Sequence, residues 1–265
     1  MYADLADTRL RAVLTGASGG IGKAIARQLA PHAEWLILVG RNVEALSALK
    51  KELGPHVHVV AGDLTEQSTL LAIEDRAHQL GGMNLLVNNA GASDFHAFET
   101  QGVDEIRKLL NTNLLSPMLL TRQLLPLLRR APAAQIINIG SIFGYVGYPG
   151  FAAYCASKSG LRGFTQALRR ELSDTAINVR HFAPRATSTA INSAPVEAMN
   201  RELKNAQDTP EHVASQFMQF LRGSAWETKL GAKESFFVLV NHLLPKMPDK
   251  AIFSQLPVIR KYLPR

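Results

Sequence analysis

The sequence predicts a doubly wound α/β fold, a parallel sheet covered on both faces by helices. Three observations carry this. Short apolar runs alternate with helical stretches over most of the chain. The runs lack the apolar–polar alternation of a half-exposed sheet, so both faces of each strand are expected to be buried. A glycine cluster, Thr15-Gly16-Ala17-Ser18-Gly19-Gly20-Ile21-Gly22, stands directly between the first run and the helix after it.

The elements follow in order. Arg11 to Thr15 reads as a buried strand ending in a turn of small residues. Gly20 to Ala30 reads as a helix broken at Pro31. Trp35 to Val39 is a second strand and Asn42 to Leu53 a second helix. Val57 to Ala61 and Glu66 to Gln79 repeat the pair, and Leu85 to Asn88 is a fourth strand. Two helical stretches follow, about Gly102 to Asn111 and Leu114 to Arg130. Gln135 to Gly140 is a fifth strand, Phe151 to Ser173 a long helix, and Ile177 to Phe182 a sixth strand. Thr209-Pro210-Glu211 opens another helix with a capping threonine and a proline in the first turn. Residues 1–222 are expected to form one domain, and 223–265 an amphipathic helical extension packed on it or on a partner subunit.

Composition narrows the class. With 46% hydrophobic and 19% charged residues, the 265-residue chain has material for a sizeable core. The single cysteine, Cys155, leaves no internal disulfide and fits a reducing compartment. The start carries no basic segment followed by an apolar run, so no signal peptide is expected. No run reaches the roughly 18 apolar residues of a membrane span. A cytoplasmic protein is expected. The net charge of +7 admits an anionic partner. Nucleic acid would rest on that charge alone, with no recognition motif beside it, and is not expected.

The glycine cluster suits a dinucleotide. Gly16 permits a tight turn, Gly20 lets the backbone approach a pyrophosphate, and Gly22 lets helix and sheet pack closely. The helix N-terminus then offers free N–H groups to phosphate. The second strand ends Val39-Gly40-Arg41-Asn42. An acidic residue there would bond a ribose 2′-hydroxyl, whereas an arginine accommodates a 2′-phosphate. Arg41 therefore points to NADP(H). Asp63, closing the third strand, either accepts a bond from the adenine amino group or caps the helix after it.

Tyr154-Cys155-Ala156-Ser157-Lys158 places a phenol and an ammonium four residues apart, on one helical face. An ammonium beside a phenol favours the phenolate, and a tyrosine tuned that way trades protons near neutral pH. Ser141, leaving the fifth strand, can aim a second hydroxyl at the same oxygen.

With these residues assembled, the sequence resembles the short-chain dehydrogenase/reductase family from about Arg11 to Thr189. The motifs are the glycine turn, Asn88-Asn89-Ala90-Gly91, Asn113, Ser141, and Tyr154 with Lys158. The resemblance implies a Rossmann-type domain and a catalytic set of Asn113, Ser141, Tyr154 and Lys158. In it Tyr154 is the general acid/base, Lys158 tunes it and holds the nicotinamide ribose, Ser141 bonds the reacting oxygen, and Asn113 supports a proton-relaying water. The implied cofactor-binding set is Gly16, Ser18, Gly20, Ile21, Gly22, Arg41, Asp63, Leu64, Asn89, Ala90, Gly91, Tyr154, Lys158, Pro184, Thr187 and Thr189. No metal is implied.

The chain departs from the family in two places. The family's Pro-Gly after the sixth strand is Pro184-Arg185 here. Arginine lacks glycine's angular freedom, and its cation either stands near the cofactor or substrate entrance or points into solvent. The family's closing seventh strand with an Asp-Gly-Gly turn is not expected.

Ser188 to Asp208 is expected to form a lid over the substrate, with Ile191, Met199 and Leu203 giving it an apolar side. Beyond Arg222 the chain is amphipathic and basic, with seven cations against three carboxylates. Such a tail either lies on an anionic membrane or covers its own cleft or a subunit interface. The second is the expectation, with Phe236, Phe237, Val240 and Leu244 as the buried face.

The function expected from all this is an NADP(H)-dependent oxidoreductase moving hydride between nicotinamide and a carbonyl or alcohol. The substrate is expected to be an apolar, lipid-like small molecule, and the enzyme a homo-oligomer. The alternative is a catalytically silent NADP(H)-binding sensor or scaffold.

Overall fold

The computed structural model describes residues 9–264. Seven strands form one sheet in the order β3-β2-β1-β4-β5-β6-β7, with every neighbouring pair parallel. They are β1 (Leu10–Thr15), β2 (Ala33–Gly40), β3 (Val57–Ala61), β4 (Leu85–Asn88), β5 (Ala134–Ile139), β6 (Ile177–Ala183) and β7 (Glu227–Lys229). The helices between them are α1 (Gly20–Leu29), α2 (Val43–Leu53), α3 (Gln67–Gln79), α4 (Val103–Leu110), α5 (Ser116–Leu128), α6 (Ala152–Glu171), α7 (Ala194–Glu202) and α8 (Pro210–Arg222). Two more, α9 (Ala232–Leu243) and α10 (Lys246–Tyr262), close the chain.

Two apolar layers show why the strands carry no polar alternation. Ala12, Leu14, Leu36 and Leu38 face one side of the sheet, where they meet Ile25 and Leu29 of α1 and Phe217 of α8. Val13, Trp35, Ile37 and Val39 face the other, against Leu70 and Ile73 of α3 and Leu120 and Leu124 of α5. The strand order reverses between β1, which leads to β2 and β3, and β4, which leads to β5 and β6. In doubly wound sheets the ligand crevice opens at such a reversal, beyond the carboxyl ends of the strands.

Local signals set the boundaries. Asn42 Oδ1 accepts from Ala45 N–H to cap α2, and Thr209 Oγ1 accepts from His212 N–H to cap α8. The two helical stretches expected around Gly102 to Arg130 are α4 and α5, joined without a break by a π-type turn at Asn111–Leu115.

Two expectations fail. A seventh strand exists, and it lies past the expected boundary at 222. Glu227–Lys229 pairs in parallel with His181–Ala183 at the sheet edge. Three polar-flanked edge residues carry no apolar pattern, and Leu230-Gly231-Ala232 stands in place of Asp-Gly-Gly. Gly231 takes φ +91, which favours glycine. The buried face of the extension is also different. Phe236 and Leu244 are exposed, while Val238 and Ile252 pack on Ile142 and Val146, with Phe237 half-buried among them.

Arg180 of β6 is fully enclosed and binds the end of α8. Its guanidinium donates to Phe220 O at 2.6 Å, Leu221 O at 3.1 Å, Ala225 O at 2.9 Å and Gln135 Oε1 at 2.9 Å, and lies over the Phe220 ring. A cation on the last carbonyls of a helix satisfies groups that lack intrahelical partners. Among the described residues no helix is long and apolar enough to cross a membrane.

Candidate active site

The crevice at the strand-order reversal holds a cavity of about 340 Å³. Ile21, Asn89, Gly91, Ser141, Tyr154, Lys158, Pro184, Thr187 and Thr189 line it, so loops after β1, β4, β5 and β6 bring these candidates together.

The glycine turn is built for close approach. Gly16 has φ +65, and a Cβ on it would lie 2.7 Å from Ala90 Cα. A Cβ on Gly22 would lie 2.1 Å from Gly16 O, and one on Gly20 2.6 Å from Thr189 Cγ2. Lys23 N–H, bonded to Gly19 O, belongs to the first turn of α1, whose leading N–H groups face the crevice end of the helix. This turn fits a dinucleotide pyrophosphate, since its backbone could not carry side chains there. Asn89 braces it: Nδ2 donates to Thr15 O at 2.9 Å, and Thr15 Oγ1 accepts from Asn89 and Ala90 N–H at 3.0 Å each.

Arg41 and Asp63 stand at the ends of β2 and β3, outside the cavity wall. Arg41 is exposed, near enough to lower the Asp63 pKa, although the larger causes are the bonds from Thr65. Asp63 Oδ1 accepts from Thr65 N–H and Oγ1, the local turn that leads into α3. Ser18 Oγ faces Gly40, where a Cβ would come within 3.1 Å of it. Leu64 is half-buried and packs against the core below β4.

The catalytic candidates sit deeper. The Ser141 hydroxyl stands near enough to the Tyr154 phenol to lower its pKa, and both line the cavity. It also accepts from Phe143 N–H at 3.1 Å, which fixes the loop after β5. Burial pushes the Tyr154 phenol up to about 12, with Ser141 acting the other way. Lys158 is buried, and Nζ donates to Ile139 O at 3.0 Å, 6.0 Å from the centre of the Tyr154 ring. Burial lowers its pKa to about 8. The expected lowering of the phenol by Lys158 is therefore missing. Four-residue spacing puts both side chains on one face, but the ammonium turns to the β5 carbonyl.

Asn113 lies in the π-type turn, with no exposed surface. Its amide donates to Ala92 O at 2.9 Å and Ser157 Oγ at 3.0 Å, and its carbonyl accepts from Ala92 N–H at 2.8 Å. It clamps the loop after β4 to α6, and a Cβ on Gly91 would lie between Asn113 and Lys158. Cys155 is buried in the cluster that Tyr154 packs against, its thiol pushed up by burial and 3.8 Å from Val146 O.

Pro184 is buried, and Thr187 Oγ1 donates to Arg185 O at 3.0 Å. Arg185 lines the cavity and does not point free into solvent. It donates to both carboxylate oxygens of Asp208, at 2.7 and 3.0 Å, and reaches Glu234 at 3.5 Å. Among the described residues only Lys204 among non-glycines takes positive φ, so the backbone at Arg185 is ordinary.

The sequence reading missed the aromatic wall of the cavity. Phe143, Tyr148 and Phe151 cluster with Phe95, Phe143 and Tyr148 being stacked with centroids 5.1 Å apart. Val196 and Met199 of the lid and Ile259 of α10 complete the cluster. Tyr148 OH donates to Gln255 Oε1 at 2.7 Å, which joins the wall to α10. The spacing of Phe143, Tyr148 and Phe151 was the available signal, obscured by the glycines between them.

Comparison with known proteins agrees with this geometry. The family model described as short chain dehydrogenase matches residues 11–200. Nodulation protein G of Rhizobium sp. (strain N33) is 38% identical over 202 residues, 75% of this chain and 80% of that one. The 3-oxoacyl-(acyl-carrier-protein) reductase of Rickettsia bellii is 34% identical, over 77% of this chain and 86% of that one. The solved structure of a short-chain dehydrogenase from Streptomyces avermitilis superposes with a TM-score of 0.80 at 25% identity, covering 95% of this chain and 98% of that one. The chain therefore belongs to the short-chain dehydrogenase family, oxidoreductases that use a nicotinamide cofactor on small-molecule substrates.

Proposed function

We propose that the protein is an NADP(H)-dependent carbonyl reductase acting on an apolar, lipid-like ketone, with Asn113, Ser141, Tyr154 and Lys158 as its catalytic set. One observation carries the reading: Ser141 and Tyr154 line one cavity whose other wall is aromatic and aliphatic. A nicotinamide dinucleotide supplies the hydride when bound. The chain's part is to hold the carbonyl oxygen and deliver a proton to it. Ser141 and Tyr154 donate to that oxygen as charge develops there. With its pKa raised by burial, the phenol holds its proton at neutral pH, the state from which donation starts. Lys158, lowered to about 8, is poised to pass a proton back to the phenol. Asn113 positions the Ala92 loop and Ser157 beside it.

Arg41 and Ser18 support the choice of NADP(H): a guanidinium and a hydroxyl flank the end of β2, with no carboxylate on that strand end. Self-association is expected through Leu110 of α4, Leu115 of the π-type turn and Met118 and Leu119 of α5, each of which is exposed. The cytoplasm is the expected compartment.

The test is NADPH consumption, followed by absorbance, over a panel of aromatic, long-chain and short polar ketones. Turnover of the apolar ketones, abolished by Tyr154→Phe, is the expected result. No turnover on any ketone, with NADPH still bound, would favour the silent sensor.

A further inference from the structure

The C-terminal helices turn one side to the cavity and another away from the body. On the inner side Phe237, Ile252 and Gln255 line the cavity, and Asn241 Nδ2 donates to Tyr145 O at 3.2 Å. On the outer side Phe236, Leu239, Leu243, Leu244, Met247 and Phe253 are 53% to 67% exposed. Helical spacing puts Phe236, Leu239 and Leu243 on one face of α9 with Lys233 at its margin. The same spacing puts Lys246, Lys250, Phe253 and Arg260 on one face of α10. Among the described residues, none of these four cations forms an ion pair. The carboxylates nearby are few: Glu234 is turned inward to Arg185, and Asp249 remains.

We infer that this outer face docks the protein on an anionic lipid surface. Large apolar side chains edged by lysine and arginine match an interface helix that buries its apolar face at the acyl boundary and sets its cations among headgroups. The charge decides against a second copy as the occupant. A two-fold contact would set the patch carrying Lys233, Lys246, Lys250 and Arg260 against the same patch, four cations facing four with only Asp249 from each copy to offset them. A bilayer supplies the opposite sign across the whole face. Because the inner sides of the same two helices line the cavity, docking turns the cavity's helical rim toward the lipid. This inference goes beyond the proposed reaction and does not depend on it.

The experiment is co-sedimentation of the full-length protein with phosphatidylcholine vesicles and with equal parts phosphatidylcholine and phosphatidylglycerol. Binding to the anionic vesicles alone is expected, falling by about tenfold or more as salt rises to half molar. Lys246→Glu with Lys250→Glu should weaken it by at least about tenfold. Phe236→Ser with Phe253→Ser should weaken it similarly. Both pairs are exposed, so circular dichroism and the melting midpoint should match the parent. Absence of vesicle binding, or binding indifferent to headgroup charge and salt, would overturn the inference. So would a lipid-free dimer, seen by light scattering, that Phe236→Ser with Phe253→Ser converts to monomer.

Discussion

Arg185 and Asp208 meet in a two-point ion pair, Nη2 to Oδ1 at 2.7 Å and Nε to Oδ2 at 3.0 Å. The pair ties the loop after β6 to the last residue of the lid, and Asp208 N–H donates to Ala186 O beside it. Asp208 is buried, so losing its partner leaves a carboxylate to be solvated. Arg185→Gly should cost roughly 1–3 kcal/mol of stability and loosen the lid. On the proposed function, a substrate KM raised more than kcat is lowered, together with a lower melting midpoint, is the expected pattern. An unchanged KM would show that the lid is held elsewhere.

Tyr154→Phe keeps the ring that packs on Phe143 and Phe151 and removes only the proton donor. Turnover should fall by about 10²–10⁴, with dinucleotide affinity little changed in a fluorescence titration. Lys158→Ala should reduce both, since its ammonium stands at the cavity wall and also holds Ile139 O.

Arg41→Ala should weaken NADPH binding by about tenfold or more, the loss of a charge-assisted contact, and leave NADH binding unaltered. Parallel titrations of both dinucleotides check this. Equal losses for the two would remove the 2′-phosphate from the argument.

His181 gives the protein an acid-sensitive core. It is fully buried, with Nδ1 on Tyr145 OH at 3.0 Å and no partner for Nε2. Burial lowers its pKa to about 3; Glu227 opposes that, while Arg162, Lys158 and Lys229 add to it. The unfolded chain therefore binds a proton between pH 6.5 and about 3 that the folded one refuses. Stability from this group is full above pH 6.5 and is lost as pH falls, by about 1.4 kcal/mol per pH unit. Urea unfolding between pH 7.5 and 5 should show the decline, and His181→Gln, though less stable overall, should flatten it.

Where burial on both faces set the pattern, the sequence was readable. Val13 and Leu14 point to opposite layers and both must be apolar, so β1 appears as a run. The glycines at 16 and 22 were legible because backbone lies against them and no side chain fits. β7 was not, because an edge strand of Glu, Thr and Lys gains its place from pairing with β6 alone. The phenol's true setting was hidden for a similar reason. Helical spacing reports which face Lys158 leaves from, but not that the Ile139 carbonyl lies within its reach. The face of α9 was misassigned because apolar residues occupy both of its sides, and periodicity cannot say which side meets the body.

Cys155, buried next to Tyr154 at the start of α6, gives the chain its own clock. As the only thiol, it is invisible to an alkylating reagent while α6 keeps its place, and labelled as soon as the helix start lifts. The rate of that labelling reads local opening at Tyr154 in an unaltered protein. Anything that seats in the cavity and tightens the aromatic wall should slow it.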